Sequence, residues 1–172
     1  DIIRRLRDFV ARGETERRVE SLPKLIEEAS ALALVGAKEH GVRVLFKFSP
    51  KVDLVLADKV QIQQVALNLI RNAIEAMEDS PRKELEIRLD PDGPELARVT
   101  VADTGTGLSP EIADQLFQPF VTTKRTGMGV GLSISRTIIE AHGGRIWVEP
   151  NPGGGARFCF TLRSVGEEEL YD

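Results

Sequence analysis

Two glycine clusters and one amide-bearing stretch carry the residues whose types and spacing could do chemistry. Asp103-Thr-Gly-Thr-Gly-Leu108 follows an apolar run, and Gly127-Met-Gly-Val-Gly-Leu132 leads into an amphipathic one. Alternating glycines admit positive φ and let backbone approach a ligand closely. The second cluster would present free N–H groups at a helix N-terminus, where phosphate is favoured. The first opens with a carboxylate at a strand end, placed to read a base rather than a phosphate. From Asp58 to Asp79, the residues Gln61, Gln64, Asn68, Asn72, Glu75 and Asp79 recur at three- and four-residue steps and so share one helix face. A merely solvated face would carry Lys and Glu, and Asn is a weak helix former. Neutral amides there point to a ligand. An amide carbonyl is a hard oxygen donor suited to Mg²⁺, and Asn68 and Asn72, one turn apart, are the best-placed pair. The pattern predicts a nucleotide held at both ends.

The surrounding elements must position these groups. Residues 1 to about 18 read as a charged helix with a narrow apolar seam (Ile2 or Ile3, Leu6, Phe9 or Val10), the end of a dimerisation helix. Arg17-Arg18 to Leu22-Pro23 reads as a linker, and Pro23 suits the first turn of a new helix after Ser21. Strands are expected at Val42 to Phe48 and Asp53 to Ala57, then a helix N-capped by Asp58. Two further strands, Leu85 to Leu89 and Ala97 to Ala102, flank a Pro91-Asp92-Gly93-Pro94 turn. Residues 104 to 128 read as loop with a short helix near Glu111 to Leu116. Val130 to Ala141 is helical, and a hairpin around Asn151-Pro152-Gly153-Gly154-Gly155 closes the fold. The order predicts a two-layer α/β sandwich, a mixed sheet of about five strands on three helices, with mainly hairpin-linked strands. The domain expected is 19–165, preceded by the helix remnant 1–18 and followed by a tail, 166–172.

Bulk properties narrow the partners. A net charge of −4 gives no support to nucleic acid or an anionic membrane. Nothing approaches the roughly 18 apolar residues of a spanning helix. The single cysteine, Cys159, excludes an internal disulfide and fits a reducing, cytoplasmic setting. The sparse His and Cys argue against zinc. The chain begins without Met, as a piece of a longer protein would.

Five segments in order resemble the boxes of the GHKL (Bergerat-fold) ATPases. Asn68-Leu-Ile-Arg-Asn72-Ala is similar to the N box, Asp103 to Gly107 to the G1 box and Leu116-Phe-Gln-Pro-Phe120 to the F box. Gly127 to Leu132 is similar to the G2 box, and Gly153-Gly-Gly-Ala-Arg-Phe158 to the last glycine turn. Pro119-Phe-Val-Thr-Thr-Lys124 and Ile139-Glu-Ala-His-Gly-Gly144 resemble the nitrogen- and oxygen-sensing branch of bacterial sensor histidine kinases.

The resemblance implies ATP with Mg²⁺. Asp103 would accept a hydrogen bond from the adenine amino group, and Gly105 and Gly107 would let the chain pass close to the base. Asn72 would bind Mg²⁺, with Asn68 on the same metal or its phosphates. Gly127, Gly129 and Gly131 would wrap the phosphates, and Lys124 would offset charge at the γ end. Glu75 stands where several sensor kinases carry a basic side chain, so the offsetting cation lies among Arg71, Lys124 and Arg125. Hydrolytic relatives resembling gyrase place a Glu one turn before the metal Asn; Asn68 cannot take a proton, so water attack should be slow. Neither His40 nor His142 has the acceptor context of the family, and both read as structural. The phosphoacceptor histidine is therefore expected outside this chain, on a helix of the same or a partner subunit, with a response regulator downstream and a homodimer in the full protein. Haem would belong only to a sensor domain outside this chain. A nucleotide-switched binding module or an anti-sigma-type Ser kinase is the rival reading.

Overall fold

The computed structural model describes residues 17–107, 117 and 128–166. The elements are β1 (Arg18–Ser21), α1 (Leu22–Glu39), β2 (Arg43–Phe48), β3 (Leu54–Ala57), α2 (Lys59–Ala76), β4 (Glu84–Pro91), β5 (Leu96–Ala102), α3 (Met128–Ala141), β6 (Ile146–Pro150) and β7 (Ala156–Arg163). A mixed five-stranded sheet runs β2-β4-β5-β7-β6, parallel only between β2 and β4. Period-two patterning explains the two layers. On one face Ile87, Leu89, Val99, Val101, Phe158 and Phe160 are buried and pair across strands. Together with Leu25, Ile26, Ile62, Val65, Leu69, Ile138 and Ile139 from the helices they form one core. The opposite face carries ion pairs such as Lys47–Glu86 and Arg88–Asp90, partly exposed and so of small energetic weight. Burial pushes the Cys159 thiol above its usual range, which makes it an inert packing group.

Two expectations change. The stretch read as the end of a helix and a linker forms β1, which pairs antiparallel with β3 from Arg18↔Ala57 to Ser21↔Leu54. β3 lies outside the main sheet, so β2 and β3 are not a hairpin; β2 instead reaches β4 in parallel, with β3 and α2 in between. Short alternating segments such as Arg-Val-Glu-Ser carry too little periodicity to announce a strand, and only the partner stabilises it. Ser21 takes the N-cap position of α1 without a side-chain cap, while the Leu22 N–H donates to the Asp53 carbonyl at 2.8 Å. Residues 1–16, the short helix expected near Glu111 to Leu116 and the tail from 167 lie outside the described residues.

Two contacts fix the helices that bear the chemistry. The Asp58 N–H donates to His142 Nε2 at 3.0 Å, and His142 Nδ1 bonds the Ile138 carbonyl at 2.8 Å. One nitrogen accepts and the other donates, so the ring is held neutral, in the structural role expected of it. His40 is likewise a helix-end group, with Nδ1 on the Gly36 carbonyl at 2.7 Å. Asn68 Nδ2 donates to Ser135 Oγ at 3.2 Å. Asp58 opposite His142 and Asn68 opposite Ser135 set α2 and α3 antiparallel.

The buried ring carries a pH dependence. Loss of water lowers the His142 pKa from its ordinary value of about 6.5, the nearby Arg17 charge adds to this, and the Ile138 bond and Asp58 oppose it. The unfolded chain therefore takes up a proton near pH 6.5 that the native ring refuses. Stability is expected to fall as pH drops from about 6.5 to the lowered native value, with a limiting slope of about 1.4 kcal/mol per pH unit. Urea midpoints of wild type and His142→Asn between pH 5 and 8 check this: their difference should shrink as the pH falls.

Candidate functional site

The amide face and the first glycine turn meet at the C-terminal end of α2. Asp58 caps the helix start by accepting from the Gln61 N–H at 3.1 Å, which fixes the phase of every later side chain. The predicted polar stripe is then divided by packing. Gln61 and Asn72 are buried, Asn68 and Glu75 half-buried, and Gln64 and Asp79 exposed. Asn68 spends its NH₂ end on Ser135, which leaves its carbonyl oxygen, an acceptor, for other contacts.

Asp103 follows β5 directly and is 1% exposed. Its Oδ1 accepts from the Gly105 N–H at 2.9 Å and the Ala156 N–H at 3.2 Å. Its own N–H donates to the Ala156 carbonyl at 2.9 Å, and its carbonyl accepts from Asn151 Nδ2 at 2.6 Å. A buried carboxylate bound at one oxygen by two backbone donors is held in one orientation. Thr104 ties the turn to the neighbouring loop, donating to the Arg82 carbonyl at 2.7 Å and accepting from the Glu84 N–H at 3.0 Å.

Gly105 stands against the end of α2. A Cβ there would lie 2.7 Å from the Ala76 carbonyl carbon and closer still to its oxygen. The missing side chain thus serves first to seat the turn on the amide-bearing helix. Gly105→Ala is expected to cost about 1–3 kcal/mol through overpacking against rigid backbone; a urea midpoint equal to wild type would contradict this. Gly107 takes φ +74 beside Gly155.

Gly129 and Gly131 lie in the first turn of α3. Because α2 and α3 are antiparallel, that turn lies on the Asn72 side of Asn68. The turn that follows Asp103 thus seats at Ala76, one turn beyond Asn72, while Asn68 meets Ser135 of α3. Phe117 packs edge-on against Phe158 with centroids 6.3 Å apart. Lys124, Arg125, Gly127 and Phe120 lie outside the described residues. Among those described, no three His, Cys, Asp or Glu form a metal-binding group, and no helix is long and apolar enough to cross a membrane.

Sequence reasoning missed Asn151, Ser135 and the clamp that Gly155 makes on Asp103. The first stood out only as the opening of a Pro-Gly-Gly-Gly turn, and the second as a small residue on a helix. Neither sequence position points to its partner.

Residues 57–165 match the family described as histidine kinase-, DNA gyrase B- and HSP90-like ATPases. Sensor protein FixL of Bradyrhizobium diazoefficiens is 61% identical over 96% of this chain, and the match covers 33% of that protein. The C4-dicarboxylate transport sensor protein DctS of Rhodobacter capsulatus is 39% identical over 94% of the chain and 25% of its own length. The chain thus spans a third or less of these relatives. Among solved structures, the catalytic domain of histidine kinase ThkA superposes with a TM-score of 0.78 at 34% identity, covering 87% of this chain and 96% of that one. Full-length ShkA in complex with AMPPNP gives a TM-score of 0.77 at 27% identity, over 88% of this chain and 32% of that one.

Proposed function

Because the chain belongs to the family of histidine kinase-, DNA gyrase B- and HSP90-like ATPases, we propose that it is the ATP-binding catalytic domain of a sensor histidine kinase. Its task would be to deliver the γ-phosphoryl group to a histidine outside this chain, for onward transfer to a response regulator. The full protein would be a cytoplasmic homodimer. The observation that carries the reading is the buried Asp103 carboxylate, oriented by the Gly105 and Ala156 N–H groups beside the helix bearing Asn68 and Asn72.

The residues fit such a ligand. Asp103 offers a fixed acceptor to the amino group of adenine; guanine would bring an oxygen there and leave the carboxylate facing a like partner, at a cost of about 1–3 kcal/mol. Asn72 and Asn68 offer amide oxygens, the donor type that Mg²⁺ accepts beside phosphate. Bound Mg-ATP supplies the activated phosphoryl group. The first turn of α3, with Gly129 and Gly131, offers backbone N–H groups and the positive end of its dipole to phosphate. Gly127 and Lys124 are proposed to extend that cradle, Lys124 offsetting charge at the γ end.

Asn68 decides between transfer and hydrolysis. An amide cannot accept the proton of an attacking water, and this one is further held by Ser135. The group is kept for a better-positioned nucleophile, which in-line transfer requires. Two measurements test the whole reading. With Mg-ATP and a separately supplied dimerisation domain carrying the acceptor histidine, acid-labile phosphohistidine should form on that domain, with little free phosphate released by this chain alone. Asn68→Glu should raise phosphate release by about 10²-fold, the lower range of general-base catalysis. Rapid hydrolysis by the wild type with no phosphohistidine would overturn the kinase assignment. The relative ThkA has also been solved in complex with the response regulator protein TrrA, at 28% identity and a TM-score of 0.74, which supports a downstream partner of that class.

A further inference from the structure

The turn between β6 and β7 does more than close a hairpin. Gly153, Gly154 and Gly155 take φ values of +89, +118 and +99, a run that only glycine adopts without strain. This folds the turn back on itself: the Asn151 N–H donates to the Gly155 carbonyl at 3.1 Å, and the Gly154 N–H to the Asn151 carbonyl at 2.9 Å. The result presses Gly155 onto Asp103. A Cβ at Gly155 would lie 2.7 Å from the Asp103 carbonyl carbon and 2.8 Å from its Oδ1. From the other end of the turn, Asn151 reaches 48 positions back along the chain and donates Nδ2 to the Asp103 carbonyl at 2.6 Å. Asp103 is thus gripped at three points by one turn: its side chain by the Ala156 N–H, its N–H by the Ala156 carbonyl and its carbonyl by Asn151.

We propose that Asn151 is a positioning residue for base selection, setting the tilt of the Asp103 carboxylate through the Asp103 peptide group. The proposal rests on the reading of Asp103 as the acceptor for the base amino group. The Asn151 side chain engages the strand end that carries Asp103, so its effect is expected on the base rather than on phosphate or cation. Release of its bond frees the Asp103 carbonyl and lets the carboxylate rotate about its remaining contacts. The penalty therefore falls on the ligand whose amino group must meet that carboxylate, and spares one that brings no donor there.

Equilibrium binding of ATP and of inosine triphosphate, which carries an oxygen in place of the amino group, provides the test. Asn151→Ala should weaken ATP by about 3- to 10-fold and leave inosine triphosphate within about 2-fold, so that the ratio of the two affinities collapses. Asn151→Asp keeps the shape, replaces the donor with an acceptor facing a carbonyl, and should collapse the ratio further. A variant that lowers the urea midpoint but keeps the ratio assigns Asn151 to turn stability alone and overturns the proposal. Should either variant fail to fold, a through-hydrogen-bond NMR coupling between Asn151 Nδ2 and the Asp103 carbonyl carbon is sought in the wild-type chain; its absence also overturns the proposal. Asp103→Asn is measured in parallel. If that variant keeps the wild-type ratio, the base-acceptor reading of Asp103 fails; if it loses the ratio while Asn151→Ala keeps it, only the role of Asn151 fails.

Discussion

Asp103→Asn is expected to weaken ATP by about 1–3 kcal/mol, roughly 5- to 150-fold, and to relax the preference for adenine. The direction follows from the two backbone donors at Oδ1. The Gly105 and Ala156 N–H groups demand an oxygen there, so the introduced amide must orient its carbonyl toward them. Its NH₂ then occupies the place of Oδ2 and confronts the adenine amino group, donor against donor. A base with an oxygen at that position would instead be received. Affinity for inosine triphosphate should hold or rise, and Mg²⁺ dependence should persist, because Asn68 and Asn72 are untouched. Calorimetric titrations of both nucleotides check this; an adenine preference equal to wild type would remove Asp103 from base recognition.

Asn72→Ala should have the complementary effect, loss of the Mg²⁺-dependent part of ATP binding by about 10²-fold or more. Asn72 is 5% exposed within α2, one turn beyond Asn68 and one turn before the Ala76 carbonyl on which Gly105 rests. A hard cation bound to phosphate takes few protein oxygens, so each one removed weighs heavily. Ala is the stronger helix former, which offsets part of the lost polar contact and keeps α2 intact. Binding of ATP in excess chelator should be almost unchanged, and the urea midpoint close to wild type. If Mg²⁺ still tightens ATP in this variant, the metal assignment is wrong. The two substitutions therefore separate base from cation: one alters the ratio between nucleotides, the other the difference made by Mg²⁺.

The N-terminal half of α2 shows how far periodicity reaches. Asp58 as cap and the apolar phase from Ile62 to Met77 were legible, because capping and burial along one helix depend on neighbours three or four positions away. The glycine turns and their carboxylate were legible for the same reason. β1 was not: four residues without their own core contacts become a strand only when β3 lies beside them. The polar face reads as one surface in the sequence, yet its members divide into buried, half-buried and exposed groups, with Asn68 held against Ser135 of α3.

Local spacing and residue chemistry were thus enough to set the kind and order of most elements and to mark Asp103, Asn68 and Asn72 as candidates. Only packing in three dimensions reveals that Asn151 grips Asp103 across 48 positions, that Ser135 turns Asn68 across 67, and that Gly105 is small for the sake of Ala76. Those contacts join segments whose separation along the chain carries no signal. They exist because stacking the two layers brings the ends of β5, α2 and the β6–β7 turn to one place, where a polar group left without a partner would be costly.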